Sequence, residues 1–363
     1  LSSLEIGIVG LPNAGKTTLF NALSRAGAPV ASFPFTTVEP NVGVVSVPDP
    51  RLEKVADLAG CERRYPASVR FVDIAGLVEG ASRGEGLGNR FLARIREVDA
   101  VVHVVRAFDA PDISHVAGNV DPVRDADLVD NEIRLADLEH LLRLIEKAKR
   151  DAKRGDKDST ERLNDLLALE KLVEEGTIDH RDPSVRRLAD NFRGEGILSL
   201  KPTIIGLNTG ENQDAAQFVE RMERWAAPRG IPVIPVCAKI EAELAELSPE
   251  EALEFERELG IEEESLARVI RAGYDILGLI TFFSIDSGEC RAWSVRRGTT
   301  ALKAAGKIHT DFEKGFIKAE VVHYEDFLRC GNFHRARDTG CLLIEGKEYL
   351  VQDGDVIHFK FSK

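Results

Sequence analysis

The 363-residue chain is poor in sulfur, has no long apolar run and carries no surplus of positive charge, and each shortage removes a class of protein. Its five cysteines, Cys61, Cys237, Cys290, Cys330 and Cys341, are scattered and never spaced as CxxC. That argues against a disulfide framework or a zinc site, and for a reducing, cytoplasmic setting. No stretch approaches the ~18 consecutive apolar residues of a membrane-spanning helix, so no membrane partner is expected. The opening LSSLEIGIVG lacks the basic start and cleavage pattern of a secretory signal and reads as a first strand. A net charge of −13 disfavours indiscriminate nucleic-acid binding, and no DNA specificity is indicated. The charge is uneven, however: residues 278–363 hold 13 Lys and Arg against 12 Asp and Glu.

What is present is the composition of a globular protein, 43% hydrophobic and 30% charged. At ~100–200 residues per domain, two or three domains are expected. LEIGIVG, NVGVVSV, VRFVDIAG, DAVVHVVRA, KPTIIGLN and IPVIPVCAK are near-continuous β-branched runs separated by helical spacing. This pattern predicts a mostly parallel sheet covered on both faces. From Asp125 the texture changes. Leu128, Leu135 and Leu142 recur every seven residues, with Asn131, Leu138 and Ile145 three residues after each. That spacing predicts a helical seam. The polar stretch KRDAKRGDKDST then turns the chain, and Leu166, Leu169 and Val173 line a returning helix, giving an inserted antiparallel hairpin. After about Leu279, short strands separated by turns predict a smaller, separate module. The expected division is a sheet-bearing domain at 1–124 and 200–278, a helical arm at 125–199, and a C-terminal domain at 279–363.

Gly10-Leu-Pro-Asn-Ala-Gly15-Lys16-Thr17 fits GxxxxGK[ST], with a strand before it and a helix after it. In such a loop the glycines let backbone N–H groups turn inward around a phosphate, and the helix N-terminus adds positive partial charge. Lys16 would reach the β- and γ-phosphates, and the Thr17 hydroxyl would ligate Mg²⁺. The run Asn13, Ala14, Gly15, Lys16, Thr17 and Thr18 is therefore the expected nucleotide-contacting segment. Asp73 ends a strand in Asp-Ile-Ala-Gly76, where its carboxylate can hold Mg²⁺ and the Gly76 N–H can meet the γ-phosphate. Between the two lies FPFTTVEPN, in which Thr36 and Thr37 are both candidates to close over the metal.

FPFTTVEPNVGVV, VDIAGLVEGASRGEGLGNRF and the phosphate loop together resemble the Obg group of P-loop GTPases. PVCAKIEAELAEL and the C-terminal strands narrow the resemblance to the YchF, or Obg-like ATPase, subfamily, in matching order along essentially the whole chain. The resemblance implies an α/β P-loop NTPase (G-domain) fold with an inserted antiparallel helical coiled coil and a C-terminal β-grasp TGS domain. It also selects Thr37 as the metal-binding threonine.

Ordinary GTPases read guanine with Asn-Lys-x-Asp after a strand. Here the stretch is Asn208-Thr209-Gly210-Glu211, without the lysine and with a carboxylate one methylene longer. Adenine presents a donor and an acceptor where guanine presents the reverse, and Asn208 or the backbone at Thr209 has the groups to read that edge. The resemblance implies the same preference for ATP, through Asn208 and Glu211. Leu77 stands where many GTPases place a water-orienting Gln, so hydrolysis needs another group. His115 matches a histidine implicated in this subfamily and is the candidate general base. With no arginine finger identifiable in the chain, slow intrinsic turnover is expected. Asn13 is a candidate to hold a monovalent cation such as K⁺. The company TGS domains keep suggests ribosome or RNA contact, with Arg296, Arg297, Lys303, Lys307, Lys314 and Lys318 beside Trp293 and Phe316. Three readings follow: an ATP-hydrolysing switch, an Obg-type GTPase, and a nucleotide-gated binding protein whose hydrolysis is incidental.

Overall fold

The computed structural model describes residues 4–26, 41–74, 86–110, 118–153, 156–210, 215–259 and 265–362. Six strands build the first sheet: β1 (Glu5–Val9), β2 (Val42–Ser46), β4 (Ser68–Asp73), β5 (Ala100–Ala107), β6 (Thr203–Thr209) and β7 (Val233–Val236). β3 (Arg63–Tyr65) leaves this sheet for the second one. The spatial order is β2-β4-β1-β5-β6-β7, parallel except for β2 against β4. β5 is buried along its whole length, as its mostly apolar sequence suits a central parallel strand, and it carries His103 and Arg106 into the interior with it. Ile8 pairs with Asp73 of β4 and Val9 with His103 of β5, so the strand that feeds the Gly10–Thr17 loop is flanked by these two residues.

The inserted arm is a 31-residue helix, Pro122–Ala152, followed by Lys157–Glu175 running back against it. At 1.5 Å per residue the first spans roughly 46 Å. Its start is set by Asp121, whose carboxylate accepts from the Arg124 N–H, and by Pro122, which needs no N–H partner at the first position. Arg134 donates to the carbonyls of Val173 (2.8 Å) and Glu174 (2.6 Å), placing a cation on the C-terminal end of the return helix. Leu141, Ile145 and Ala148 pack against Leu166, Leu169 and Val173. One of the two expected leucine rows is therefore not the seam. Leu135 and Leu142 are 52% and 55% exposed, and Leu128 packs with the sheet's helical layer instead. A heptad count selects them, but in this helix the buried stripe runs through 141, 145 and 148 on the 3.6-residue period.

The second sheet carries β8 (Leu279–Asp286), β9 (Glu289–Arg296), β10 (Phe316–Val322), β11 (Leu343–Glu345) and β12 (Val356–Phe361), in the order β11-β10-β12-β8-β9-β3. A central parallel pair, β8 with β12, is flanked by antiparallel partners, and helix Ala301–Ile308 buries Ala301, Ala304 and Ala305. This is the β-grasp arrangement. Its sixth strand comes from the nucleotide-binding half: β3 pairs in parallel with β9 and caps that edge. Helix Pro50–Ala59 joins the two halves, and a single buried cluster runs from Ile6 and Leu19 through Val55 to Phe283 and Phe327.

Arg51 ties this junction. Its guanidinium donates to both carboxylate oxygens of Asp353 (2.8 and 3.2 Å) and to Asp49, the N-cap of its own helix. Asp353 in turn accepts from the Thr281 N–H at 2.9 Å. Because the pair is partly exposed, solvent screening lowers the value of its charged hydrogen bonds. Arg51→Ala is expected to cost about 1–2 kcal/mol, seen as a lower urea midpoint at unchanged m-value.

Candidate functional site

The residues from Gly10 to Thr17 form a loop that only a few side chains tolerate. Gly10 has φ 148°, and a Cβ there would lie 2.3 Å from the Val104 carbonyl. Gly15 has φ 93°, and its Cβ would lie 2.2 Å from the Asn208 amide nitrogen. Asn13, at φ 62°, takes the left-handed conformation that asparagine accepts more readily than most residues. These turns lead directly into helix Lys16–Ala26, whose N-terminal N–H groups suit the junction to an anion. Ala14 is buried in the loop floor, while Thr17 and Thr18 are exposed on the first helical turn.

Lys16 is 8% exposed, and its ammonium donates to the Leu11 carbonyl of its own loop at 2.8 Å. Burial pushes its pKa down, and the nearby Asp73 carboxylate opposes that shift. The Thr17 hydroxyl donates to Asp73 at 3.0 Å. Residues 56 positions apart thus bring a hydroxyl and a carboxylate to one point, a hard-oxygen donor set that suits Mg²⁺ with substrate phosphates completing its shell.

Asn208 is the penultimate residue of β6, 6% exposed, with both ends of its amide engaged. The side-chain nitrogen donates to the Ala14 carbonyl (2.9 Å), and the oxygen accepts from the Ala238 N–H (3.1 Å). It is a strap joining three segments: the phosphate loop, its own strand end, and the loop that opens helix Ala238–Leu244. The Thr209 hydroxyl donates to the Val236 carbonyl at 3.4 Å, adding a weaker tie to the same region. The expected sites Thr37, Gly76, His115 and Glu211 lie outside the described residues.

A protein of Haemophilus ducreyi named ribosome-binding ATPase YchF is 49% identical to this chain over 359 residues, 99% of each. The chain belongs to the YchF family. A Bacillus subtilis member with the same printed name is 45% identical over 364 residues, covering 99% of this chain and 100% of its own. The solved structure of the Schizosaccharomyces pombe YchF GTPase, 34% identical, superposes with a TM-score of 0.86 over 99% of this chain and 98% of its own. A family model described as 50S ribosome-binding GTPase matches residues 5–150, and one named for the YchF GTPase C-terminal region matches 279–362. Among the described residues, no helix is long and apolar enough to cross a membrane.

Two buried groups near the loop escape the motif reading of this YchF-family chain. His103 sits in β5 beneath the phosphate loop, 6% exposed, its pKa driven down to about 4 by burial and by the charge of Lys16. Glu241, also 6% exposed, accepts from the Ser265 N–H and hydroxyl and so fixes helix Ala238–Leu244 beside the strap. The only sequence signal for His103 is one imidazole in the otherwise apolar run DAVVHVV.

Proposed function

We propose that this chain is a Mg²⁺-dependent, slowly hydrolysing ATPase that acts as a ribosome- or RNA-associated switch in the cytoplasm. The observation that carries the reading is the Asn208 strap, which draws the Asn208-Thr209 end of β6 against the phosphate loop, where a base-reading segment must lie. The printed name of the bacterial relatives, ribosome-binding ATPase, agrees with it. In this reading the domains are a nucleotide-binding domain (1–124 and 200–278), an arm (125–199) and a TGS domain (279–363). The arm and TGS domain meet the ribosome.

In this reading each expected site residue has a role. Lys16 leaves the Leu11 carbonyl for the β- and γ-phosphates. The N–H groups of Asn13 to Thr18 cradle the phosphates, with Gly76 meeting the γ-phosphate. Thr17 and Asp73, joined by Thr37, hold the metal. Mg²⁺, when bound, offsets the phosphate charge that builds during transfer. K⁺ beside Asn13 would add to that offset. Asn208 engages one N–H with Ala14 and one lone pair with Ala238, so base recognition is shared among its remaining N–H and lone pair, Thr209 and Glu211. His115 orients or deprotonates the attacking water, as Leu77 cannot.

A second reading is favoured by a specific observation: the fission-yeast structure and the 5–150 family model both carry the description GTPase. Competition of ATP and GTP against one fluorescent diphosphate separates the two. ATP is expected to bind at least ~10-fold tighter, the value of one polar contact left unpaired by the wrong base. Tighter GTP binding would falsify the ATPase reading. A pure binding protein is separated by single-turnover hydrolysis with and without ribosomes. Acceleration by ribosomes supports the switch, and equal, negligible rates support binding alone.

A further inference from the structure

Two voids flank the β5 backbone that floors the phosphate loop. The smaller, about 10 Å³, lies between Leu11, Pro12 and Ala14 of the loop and Asp125 in the first turn of the long arm helix. It has room for about one water. The larger, about 70 Å³, lies where the arm meets the sheet, with Asp130 and Arg134 of the arm, His180 and Trp225 among its lining residues. His103 is the one residue that lines both. Its imidazole is thus a shared wall between the loop's underside and the arm's root.

Three features make this wall a joint rather than inert packing. The bond from Lys16 to the Leu11 carbonyl is internal to the loop, so a phosphate that captures the ammonium releases a carbonyl whose residue borders the smaller void. On the far side, burial raises the pKa of Asp130, and its carboxylate makes no hydrogen bond among the described residues. The Arg229 and Arg134 charges oppose that shift, so the carboxylate is held by charge and not fixed by a hydrogen bond. Close-packed interiors transmit displacement, whereas a 70 Å³ cavity gives the arm's root space to take a second arrangement.

We propose that His103 is a positioning residue that couples nucleotide occupancy of the phosphate loop to the packing of the arm's root. The inference rests on the nucleotide-binding reading above. The chain supplies its own probe, because only two tryptophans are present, Trp225 and Trp293, and only Trp225 lines the cavity. Arg229 stacks 4.1 Å above its ring, and its indole N–H donates to Asp127 on the arm at 2.6 Å. In a Trp293→Phe background, Trp225 emission is recorded with and without ADP or a non-hydrolysable ATP analogue plus Mg²⁺, while calorimetry measures nucleotide binding separately. A nucleotide-dependent emission change is expected, and its loss in His103→Leu with binding retained supports the coupling. His103→Gln, which restores polarity and much of the volume, is expected to recover part of the change. An undiminished change in His103→Leu, or no change at calorimetric saturation, overturns the proposal. If His103→Leu does not bind nucleotide, His103→Asn takes its place, with an undiminished change again the overturning result. Absence of calorimetric binding to the parent protein would instead remove the nucleotide-binding reading itself.

Discussion

Lys16→Ala is expected to lower triphosphate affinity by about 10²–10⁴-fold while the protein stays folded. The lysine is the loop's only ammonium, held at the head of helix Lys16–Ala26 with its one described hydrogen bond going to the Leu11 carbonyl. Charged hydrogen bonds contribute about 1.5–3 kcal/mol each, and contacts to two phosphates together supply about 3–6 kcal/mol. At about 1.4 kcal/mol per decade, that is the quoted range. Stability should change little or rise, because the substitution removes a buried cation whose pKa burial already depresses. Calorimetric titration with ATP and Mg²⁺ and a thermal melt together decide it. Unchanged affinity would place the phosphates elsewhere.

The same residues show why some of the site was legible and some was not. A phosphate loop is constrained at every position by chemistry, so Gly10, Gly15, Lys16, Thr17 and their distance to Asp73 are visible as spacing. The hydroxyl–carboxylate contact is the outcome that spacing anticipates. Asn208 is legible as a motif position, but its use as a strap depends on Ala14 and Ala238, whose backbone groups leave no trace in side-chain identity. The arm's existence follows from periodicity, yet its seam does not. Leucines at seven-residue spacing occur on both the buried and the exposed side of helix Pro122–Ala152, and only the packed return helix selects between them. β3 is the least legible element. Arg-Arg-Tyr has no strand pattern of its own, and its place at the edge of the second sheet rests on backbone pairing with β9. The Arg63–Glu289 ion pair, and Tyr65 beneath Arg291 at 3.9 Å, reinforce it, while Arg64 pairs back to Asp57 of helix Pro50–Ala59.

Acid should destabilise the nucleotide-free protein partly through His103. In the unfolded chain this ring takes a proton near pH 6.5, whereas in the folded chain it does so only near pH 4. Between those values the unfolded state binds more protons, so its contribution to stability is complete above about pH 6.5 and declines as pH falls toward 4. For a fully buried group the accumulated loss is of order 3 kcal/mol by the bottom of that window. Burial sets the sign, and the Lys16 charge adds to it from the loop side. Arg106 and Asp125 border the smaller void, and Asp130, Arg134, His180 and Arg229 border the larger one. Burial lowers the His180 pKa as well, against the pull of Asp179, so that ring contributes in the same direction. The His103 share is therefore read as a difference. Urea unfolding at pH 7 and pH 4.5 is compared between the parent and His103→Gln, and the variant should lose less stability on acidification. Equal losses in the two proteins would mean that the ring is protonated, or exchanges its proton, alike in the folded and unfolded chains. The neutral imidazole beneath the phosphate loop would then have to be abandoned.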